Sequence, residues 1–301
     1  MKKTFCSALM LMGVLLAHAT LPEVASVEKV ALPDGISVSM ATLSPDGSYA
    51  VISPLSGSGL SLLDLSTKEI TEISKTASPM MLEFSADGQN LLFRESATDS
   101  SHHRLVSLKA YNVKEGKTIT IVDKSRSLEG FSVDGQTAVA VENGRMRTRA
   151  LGSAPRTTGR AALSIKYGKL CVTNNGVTTT ISPLGNECNS YLWPTLSPDG
   201  TRILAFGVGT GAFTCNLDGS DVRVLGMVRA PKWLDNEVVV AMEDYDNGTV
   251  TTESSIKAFA ADGSENAMLT NNDVVAVFPS AANGRVAFTT PAGEMYIINL
   301  K

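Results

Sequence analysis

The 301-residue chain has few histidines, few charged residues and few aromatic residues. Only three histidines occur: His18 lies near the amino terminus, and His102 and His103 are adjacent. This shortage disfavours histidine-rich metal sites and most catalysis by an imidazole. A formal net charge of −4 disfavours binding to nucleic acid or to anionic membrane surfaces, because both need a cationic protein surface. No cofactor is predicted.

The first nineteen residues, MKKTFCSALMLMGVLLAHA, have the pattern of a secretory signal peptide: two lysines, an apolar run and small residues in an A-x-A arrangement. We predict cleavage before Thr20, which leaves residues 20–301 as one domain, periplasmic or secreted. The apolar run is too short to span a bilayer, so no membrane span is predicted. Loss of the two lysines would change the net charge from −4 to −6.

Three cysteines follow the predicted leader: Cys171, Cys188 and Cys215. An exported protein can form disulfides, and the number is odd. Two interpretations stay open. Cys188 and Cys215 could pair, or all three could be unpaired thiols, since no CxxC spacing occurs and free cysteine is commonly a small core residue.

Glycine, proline and aspartate recur in one repeated pattern: an apolar residue, serine, any residue, aspartate and glycine. It occurs at 43–47 (LSPDG), 84–88 (FSADG), 131–135 (FSVDG) and 196–200 (LSPDG), with shorter copies at 233–236 (WLDN) and 281–284 (AANG). A β-rich apolar run follows each copy. Proline presets φ, aspartate bonds back to the backbone and glycine accepts positive φ, so each copy predicts a hairpin turn.

A second hairpin follows several copies, at 60–73, 105–122, 211–225 and 256–269. Four strands per repeat are typical of a β-propeller blade. No segment beyond the leader shows a helical period of apolar residues. The sequence therefore predicts an all-β propeller.

The spacing of the turns predicts the number of blades. The turns are separated by steps of 41, 47, 65, 36 and 48 residues, measured at Asp46, Asp87, Asp134, Asp199, Asp235 and Asn283. Blades of this kind span about 40–50 residues, and the long step contains a weaker copy at 161–174 (AALSIKYGKLCVTN). We favour seven blades over six, one of which would then carry an extra hairpin.

The last repeat has only three strands. Residues 24–32 (VASVEKVAL) form an extended segment that could supply the fourth. We therefore expect the amino-terminal strand to close the ring and cover an exposed edge.

The Ser-Pro-Asp-Gly turns and the Asp-Gly hairpins resemble the WD-like Pro-Asp repeats of TolB-type β-propellers over nearly all of residues 20–301. This resemblance implies a periplasmic scaffold that binds other proteins near the cell envelope, or a propeller that caps a prolyl-oligopeptidase-like catalytic domain. TolB proteins also carry an α/β domain for which the mature chain has no room, so their particular partners are not implied.

One stretch of the chain is basic and free of acids. Residues 143–186 contain no Asp or Glu but include Arg145, Arg147, Arg149, Arg156, Arg160, Lys166 and Lys169. The first three arginines alternate, so on a strand they would share one face. That face could bind an acidic protein surface or an anionic envelope glycan, or it could simply be solvated.

Four aromatic residues precede turns on the strand expected nearest the propeller axis: Tyr191, Trp193, Trp233 and Phe278. They could line a ligand funnel or pack between blades. The acidic loop with Asp244 and Asp246 could bind calcium or form a solvated hairpin. No Gly-x-Ser-x-Gly nucleophile motif is present.

These observations favour an exported, non-enzymatic propeller that binds a protein or a cell-envelope component, with Arg145, Arg147, Arg149, Tyr191, Trp193 and Trp233 as candidate binding residues. The alternative is a propeller-type glycan lyase, or a peptide or glycan hydrolase, that uses the central funnel. The sequence does not indicate the partner or the oligomeric state.

Overall fold

A computed structural model describes residues 20–152, 161–185 and 188–301, which form 26 strands and no helix. The all-β prediction is therefore confirmed. The predicted signal peptide, residues 1–19, lies outside the described residues, and so do Arg156 and Arg160 of the basic stretch.

The strands form six antiparallel sheets, which are the blades of a β-propeller. Blade 1 contains β2 (Val38–Leu43), β3 (Tyr49–Pro54), β4 (Leu60–Asp64) and β5 (Ile70–Ser74). Blade 2 contains β6 (Glu83–Phe84), β7 (Asn90–Thr98), β8 (Arg104–Asn112) and β9 (Lys117–Ser125). Blade 4 contains β16 (Tyr191–Leu196), β17 (Arg202–Gly207), β18 (Gly211–Asn216) and β19 (Arg223–Gly226). Blade 5 contains β20 (Arg229–Trp233), β21 (Val238–Asp246), β22 (Thr251–Ala260) and β23 (Asn266–Met268).

Blade 3 has six strands and explains the long step in the repeat. Its first half contains β10 (Leu128–Asp134), β11 (Thr137–Glu142) and β12 (Arg145–Ala150), and its second half contains β13 (Ala162–Lys166), β14 (Lys169–Asn174) and β15 (Val177–Ile181). One antiparallel residue pair, Gly130 with Ser164, joins β10 to β13. The weaker copy at 161–174 does form the predicted hairpin. Because it is hydrogen-bonded to the preceding strands, the ring has six sheets, and the preferred count of seven blades was wrong.

The ring is closed by the amino-terminal strand, as predicted. Blade 6 combines β24 (Val277–Ala282), β25 (Arg285–Thr289) and β26 (Met295–Leu300) with β1 (Val24–Lys29). Strand β1 pairs antiparallel with β26, with Val27 opposite Ile298. The first and last strands of the described chain thus lie in one sheet.

The first strands of the blades surround the central channel, because they contact one another around the ring: β6 with β10, β13 with β16, β16 with β20, β20 with β24, and β24 with β2. Apolar side chains fill the wedges between successive blades, and a further small cluster lies between the two halves of blade 3. The core is therefore distributed around the ring as separate clusters.

Three of the predicted turns share one hydrogen-bond pattern. The hydroxyl groups of Ser44, Ser85 and Ser197 donate to the aspartate two residues later at 2.6, 2.6 and 2.5 Å. Each hydroxyl also accepts the N–H of the residue five positions later, at 3.0, 2.9 and 3.0 Å. The turn is thus held by side chains that the repeat conserves within this chain, which explains the Ser-x-Asp-Gly pattern.

The third copy departs from this pattern. Strand β10 continues through Asp134, which pairs with Thr137 across a two-residue turn. The Ser132 hydroxyl donates instead to the carbonyl oxygen of Ala161 at 3.1 Å. The hairpin predicted at 131–135 therefore forms, but its strand extends through the copy, and the serine links the two halves of blade 3.

We expect Ser44→Ala to destabilise the protein by about 1–2 kcal/mol at pH 7, because it removes two bonds from a buried turn. The pKa of Asp46 lies below its ordinary value, mainly because the Ser44 hydroxyl donates a hydrogen bond to the carboxylate. A depressed carboxyl pKa stabilises above the unfolded-state pKa and stops doing so as the pH falls through the folded-state value. The loss measured by urea unfolding should therefore be smaller at pH 3 than at pH 7. Ser58→Ala, at an exposed loop position, is the control; equal losses at the two pH values would contradict the role of Asp46.

Candidate functional site

The alternating arginines lie on one exposed face of β12. Arg145, Arg147 and Arg149 are exposed, whereas the residues between them are partly buried. Strand β12 is the end strand of blade 3 and pairs only with β11 in the described part of the chain. We call the exposed surface formed by these three side chains the arginine face. Its prediction as a shared strand face is confirmed, and its role in binding stays a prediction.

The arginine face is only partly neutralised by its neighbours. Arg147 Nε lies 3.2 Å from Glu142 Oε2, yet the Arg147 side chain remains 70% exposed. Arg149 donates from Nη1 to the carbonyl oxygen of Thr120 on β9 of blade 2. Arg145 contacts no carboxylate among the residues that the structure describes. Two of the three guanidinium groups are thus free of carboxylates within the described residues.

The rest of the basic stretch lies elsewhere in blade 3. Lys166 Nζ lies 3.0 Å from Glu129 Oε1, and Lys169 Nζ donates to the carbonyl oxygen of Cys188 at 3.5 Å. Lys166 is therefore paired with an acid from outside the stretch. Among the described residues of the basic stretch, an exposed cationic surface is therefore found mainly at β12.

The four aromatic residues take part in packing between blades. Tyr191 is fully buried and meets Phe213 edge-on, with ring centroids 5.8 Å apart. Trp233 is buried in the cluster between blades 4 and 5, and Trp193 packs against that cluster with its ring 5.5 Å from Phe206. Phe278 packs between blades 5 and 6. Packing thus accounts for all four positions, and only Trp193 and Phe278 keep part of their surface accessible.

The acidic loop holds an arginine. Arg229 Nη1 lies 3.0 Å from Asp244 Oδ2, and Arg229 Nη2 lies 3.7 Å from Asp246 Oδ2. Burial raises the pKa of Asp244, and the Arg229 charge opposes this rise. Both carboxylates therefore have a cationic partner within blade 5, which the sequence spacing did not reveal.

The two adjacent histidines lie at the tip of the hairpin between β7 and β8. His103 Nδ1 lies 3.0 Å from Arg126 Nη2, and the same guanidinium contacts Asp99 Oδ2 at 2.5 Å. Both histidines are exposed. This position lies on a loop outside the first strands that surround the channel.

The three cysteines are free and buried, so the pairing of Cys188 with Cys215 is not formed in this structure. Cys188 donates from Sγ to the carbonyl oxygen of Ser190 at 3.3 Å. Burial raises the pKa of Cys215 to about 12, which keeps this thiol protonated and unreactive at neutral pH. The alternative of unpaired thiols describes the structure.

Two partly buried cations were missed by the sequence reasoning. Arg94 stacks over the Phe131 ring, 4.9 Å from its centroid, and burial lowers its pKa to about 10. Lys232 on β20 makes no hydrogen bond or ion pair with a described residue, and burial lowers its pKa. The repeat alignment does contain a signal for Lys232, because the other copies have serine, threonine, glutamate or glycine at its position two residues before the turn, and none has a basic residue.

No group of three or more His, Cys, Asp and Glu side chains is arranged to hold a metal ion in the described part of the chain. The ranges that the structure describes likewise include no helix with the length and apolar character needed to cross a membrane.

Comparisons with known proteins agree with the architecture. No family model matches the chain, and no curated protein matches it. The β-propeller domain of Cps50 (Swd1) from Myceliophteria thermophila is similar in structure, with a TM-score of 0.56 and 12% identity over 90% of this chain and 99% of that one. An oligogalacturonate lyase from Vibrio parahaemolyticus matches with a TM-score of 0.47 and 13% identity over 89% of this chain and 79% of that one. At such identities the likeness concerns the fold alone. The protein is a β-propeller.

Proposed function

We propose that this protein is an exported, non-enzymatic β-propeller that binds a protein or a cell-envelope component, and that it does so through the arginine face. The observation that carries this proposal is the alignment of Arg145, Arg147 and Arg149 on one exposed face of β12. A guanidinium group can bind a carboxylate with two parallel hydrogen bonds. An array of three such groups along one strand suits a surface with several carboxylates.

The position of β12 favours a polypeptide partner over a glycan. In the described residues β12 pairs on one side only, so its other edge presents main-chain donors and acceptors. An extended segment could add to this edge and place acidic side chains against the arginines. A glycan could use the arginines but would gain little from the strand edge.

The positive charge of the arginine face is opposite in sign to the net charge of the chain. The whole chain has a net charge of −4, whereas the arginine face carries three cationic side chains. Such a contrast orients an approaching partner and raises the rate of productive encounters at low salt. Binding through this face should therefore weaken as salt concentration rises.

The test is capture of envelope components by immobilised protein comprising residues 20–301. Replacing Arg145, Arg147 and Arg149 together by Glu should reduce capture at least about tenfold, because each contact changes from attraction to repulsion. The bound fraction is quantified by mass spectrometry for proteins and by sugar analysis for glycans. A synthetic polyglutamate peptide should compete with capture by the unmodified protein.

The matched control carries the same change in net charge elsewhere. Lys68 and Lys114 lie in turns and Lys75 follows β5; all three are exposed or partly exposed, and their joint replacement by Glu should leave capture unchanged. Circular dichroism confirms that both triple variants fold. Undiminished capture by the arginine variant, or an equal loss in the lysine variant, would refute the arginine face as the binding site.

The enzymatic alternative stays a prediction. A propeller-type glycan lyase, or a peptide or glycan hydrolase, would act in the central funnel, and His102 and His103 lie outside the strands that form it. Incubation with a glycan array and a peptide library, followed by product analysis, tests this alternative directly.

A further inference from the structure

Lys232 places a positive charge on the wall of the central channel. It lies on β20, the first strand of blade 5, and its side chain is only partly exposed. No described residue supplies a hydrogen bond or a carboxylate to its ammonium group. Partial burial of an ammonium without a partner is unfavourable, because the charge loses part of its hydration and gains no counter-ion.

The repeat shows where this side chain is directed. Lys232 stands two residues before its turn, at the position held by Glu83 in blade 2 and Ser280 in blade 6. Glu83 Oε1 accepts the N–H of Val133 on the next blade at 2.9 Å, and Ser280 Oγ accepts the N–H of Leu43 on the next blade at 3.0 Å. In blades 2 and 6 the side chain at this position therefore reaches the first strand of the following blade, whereas the Thr195 hydroxyl of blade 4 has no hydrogen-bond partner among the described residues. In blade 5 that neighbour is β24, which contacts β20.

Lysine changes the chemistry of this position. Serine and glutamate accept a main-chain N–H there, but a lysine ammonium has three donors and no acceptor. In the described residues β24 pairs only with β25, so part of its main chain also faces the channel unpaired. Blade 5 thus has a side chain that can only donate at the position where blades 2 and 6 have an acceptor.

No carboxylate of the neighbouring first strands can neutralise this charge. Strands β2, β16, β20 and β24 contain no Asp or Glu. Nearby acids on β21 have partners of their own: Asp244 binds Arg229 at 3.0 Å, and Glu243 binds Lys257 at 2.6 Å. A negative charge for Lys232 must therefore come from outside these strands.

We infer that the channel wall between β20 and β24 binds a carboxylate group, with Lys232 as its counter-ion. A carboxylate fits better than a phosphate dianion, because the site offers one unpaired cation and Arg229 of the same strand is already held by two acids. This site is separate from the arginine face on β12 and does not depend on the proposed function. The carboxylate can belong to a small molecule or to an acidic segment of a protein.

Thermal unfolding with two probes tests the site. Sodium acetate represents a small carboxylate, an N-acetylated tetraglutamate peptide represents an acidic segment, and sodium chloride at equal ionic strength is the reference. At least one probe at saturation should raise the melting temperature of residues 20–301 by about 2–4 °C over chloride. A response to acetate identifies a small-molecule source, and a response to the peptide alone identifies a protein segment.

Lys232→Met should abolish this response and should itself raise the melting temperature in chloride, because it removes a partly buried charge that has no partner. Lys257→Met is the matched control: it removes a partly buried lysine that is paired with Glu243, so it should lower the melting temperature but retain the response. A response retained in Lys232→Met, or no response to either probe in the unmodified protein, would overturn the inference.

A labelling experiment covers the case in which Lys232→Met fails to fold. In the unmodified protein, an amine-reactive reagent should label Lys232 in chloride, and the responding probe should reduce that labelling at least threefold. Labelling of the exposed Lys114 should not change. Equal labelling of Lys232 with and without both probes would refute the carboxylate site, whereas capture by the arginine face would be unaffected.

Discussion

Deletion of residues 20–33 should lower the melting temperature of the protein by at least about 10 °C or prevent folding, since a loss of several kcal/mol shifts a domain of this size by that amount. This segment includes β1, which completes blade 6. Without it, β26 would lose one of its two ladder partners and become an exposed edge. Thermal unfolding followed by circular dichroism measures the effect.

The contacts of this segment explain why the effect should be large. Val30 is buried in the cluster between blades 6 and 1, and Leu21 and Val24 pack against the cluster between blades 5 and 6. Asn299 Nδ2 donates to Ser26 Oγ at 2.8 Å, and Lys29 Nζ lies 2.5 Å from Glu294 Oε1. The segment therefore contributes to two wedges and one sheet.

Two substitutions test the same closure without a deletion. Val27 is 48% exposed and Val30 is 7% exposed, although both belong to the same segment. Val30→Asp should destabilise by about 3 kcal/mol or more, because it buries a carboxylate beside apolar side chains, whereas Val27→Asp should cost under about 1 kcal/mol. A truncated protein that melts like the complete one, or similar losses for the two substitutions, would contradict closure by β1.

Gly130→Ala should destabilise the protein by about 2–4 kcal/mol, because it forces atoms together where blade 3 is joined. A β-carbon at Gly130 would overlap the carbonyl oxygen of Leu163 and lie 2.9 Å from Ser164 Cβ. Gly130 and Ser164 form the pair that connects β10 to β13. Relief of this overlap requires the two halves of blade 3 to separate. Urea unfolding measures the loss.

Gly144→Ala is the control for this substitution. Gly144 lies in the turn between β11 and β12 at φ +69°, and a β-carbon there meets no atom within 4 Å. Its replacement should cost about 1 kcal/mol through backbone strain alone. If Gly130→Ala were no more destabilising than Gly144→Ala, the close approach of β10 and β13 would not exist in solution.

The repeat predicted most of the fold, because the residues that form each Ser-x-Asp-Gly turn are adjacent in the sequence. Hydroxyl and carboxylate groups two residues apart close the same turn at Ser44, Ser85 and Ser197 regardless of the rest of the chain. Closure of the ring was also predictable, since the last repeat had only three predicted strands and the extended segment 24–32 had no other predicted partner strand.

The errors arose where distant parts of the chain meet. Whether the hairpin at 161–174 forms its own blade depends on the contact of Gly130 with Ser164, which no local pattern encodes. The acids Asp244 and Asp246 could be read as calcium ligands because Arg229, fifteen residues before Asp244, is brought to them only by the pairing of β20 with β21. Lys232 was visible in the alignment, but its lack of a counter-ion depends on which strands adjoin it.

Closure by β1 also determines the order in which parts of the fold can form. Val24 pairs with Leu300, so β1 is synthesised long before β26, the strand with which it pairs. Contacts of such long sequence separation slow folding, since loop-closure entropy must be overcome before they form. The ring can be completed only after the ribosome has released β26. Until then, β1 remains an unpaired strand available to chaperones, to proteases or to another copy of the chain.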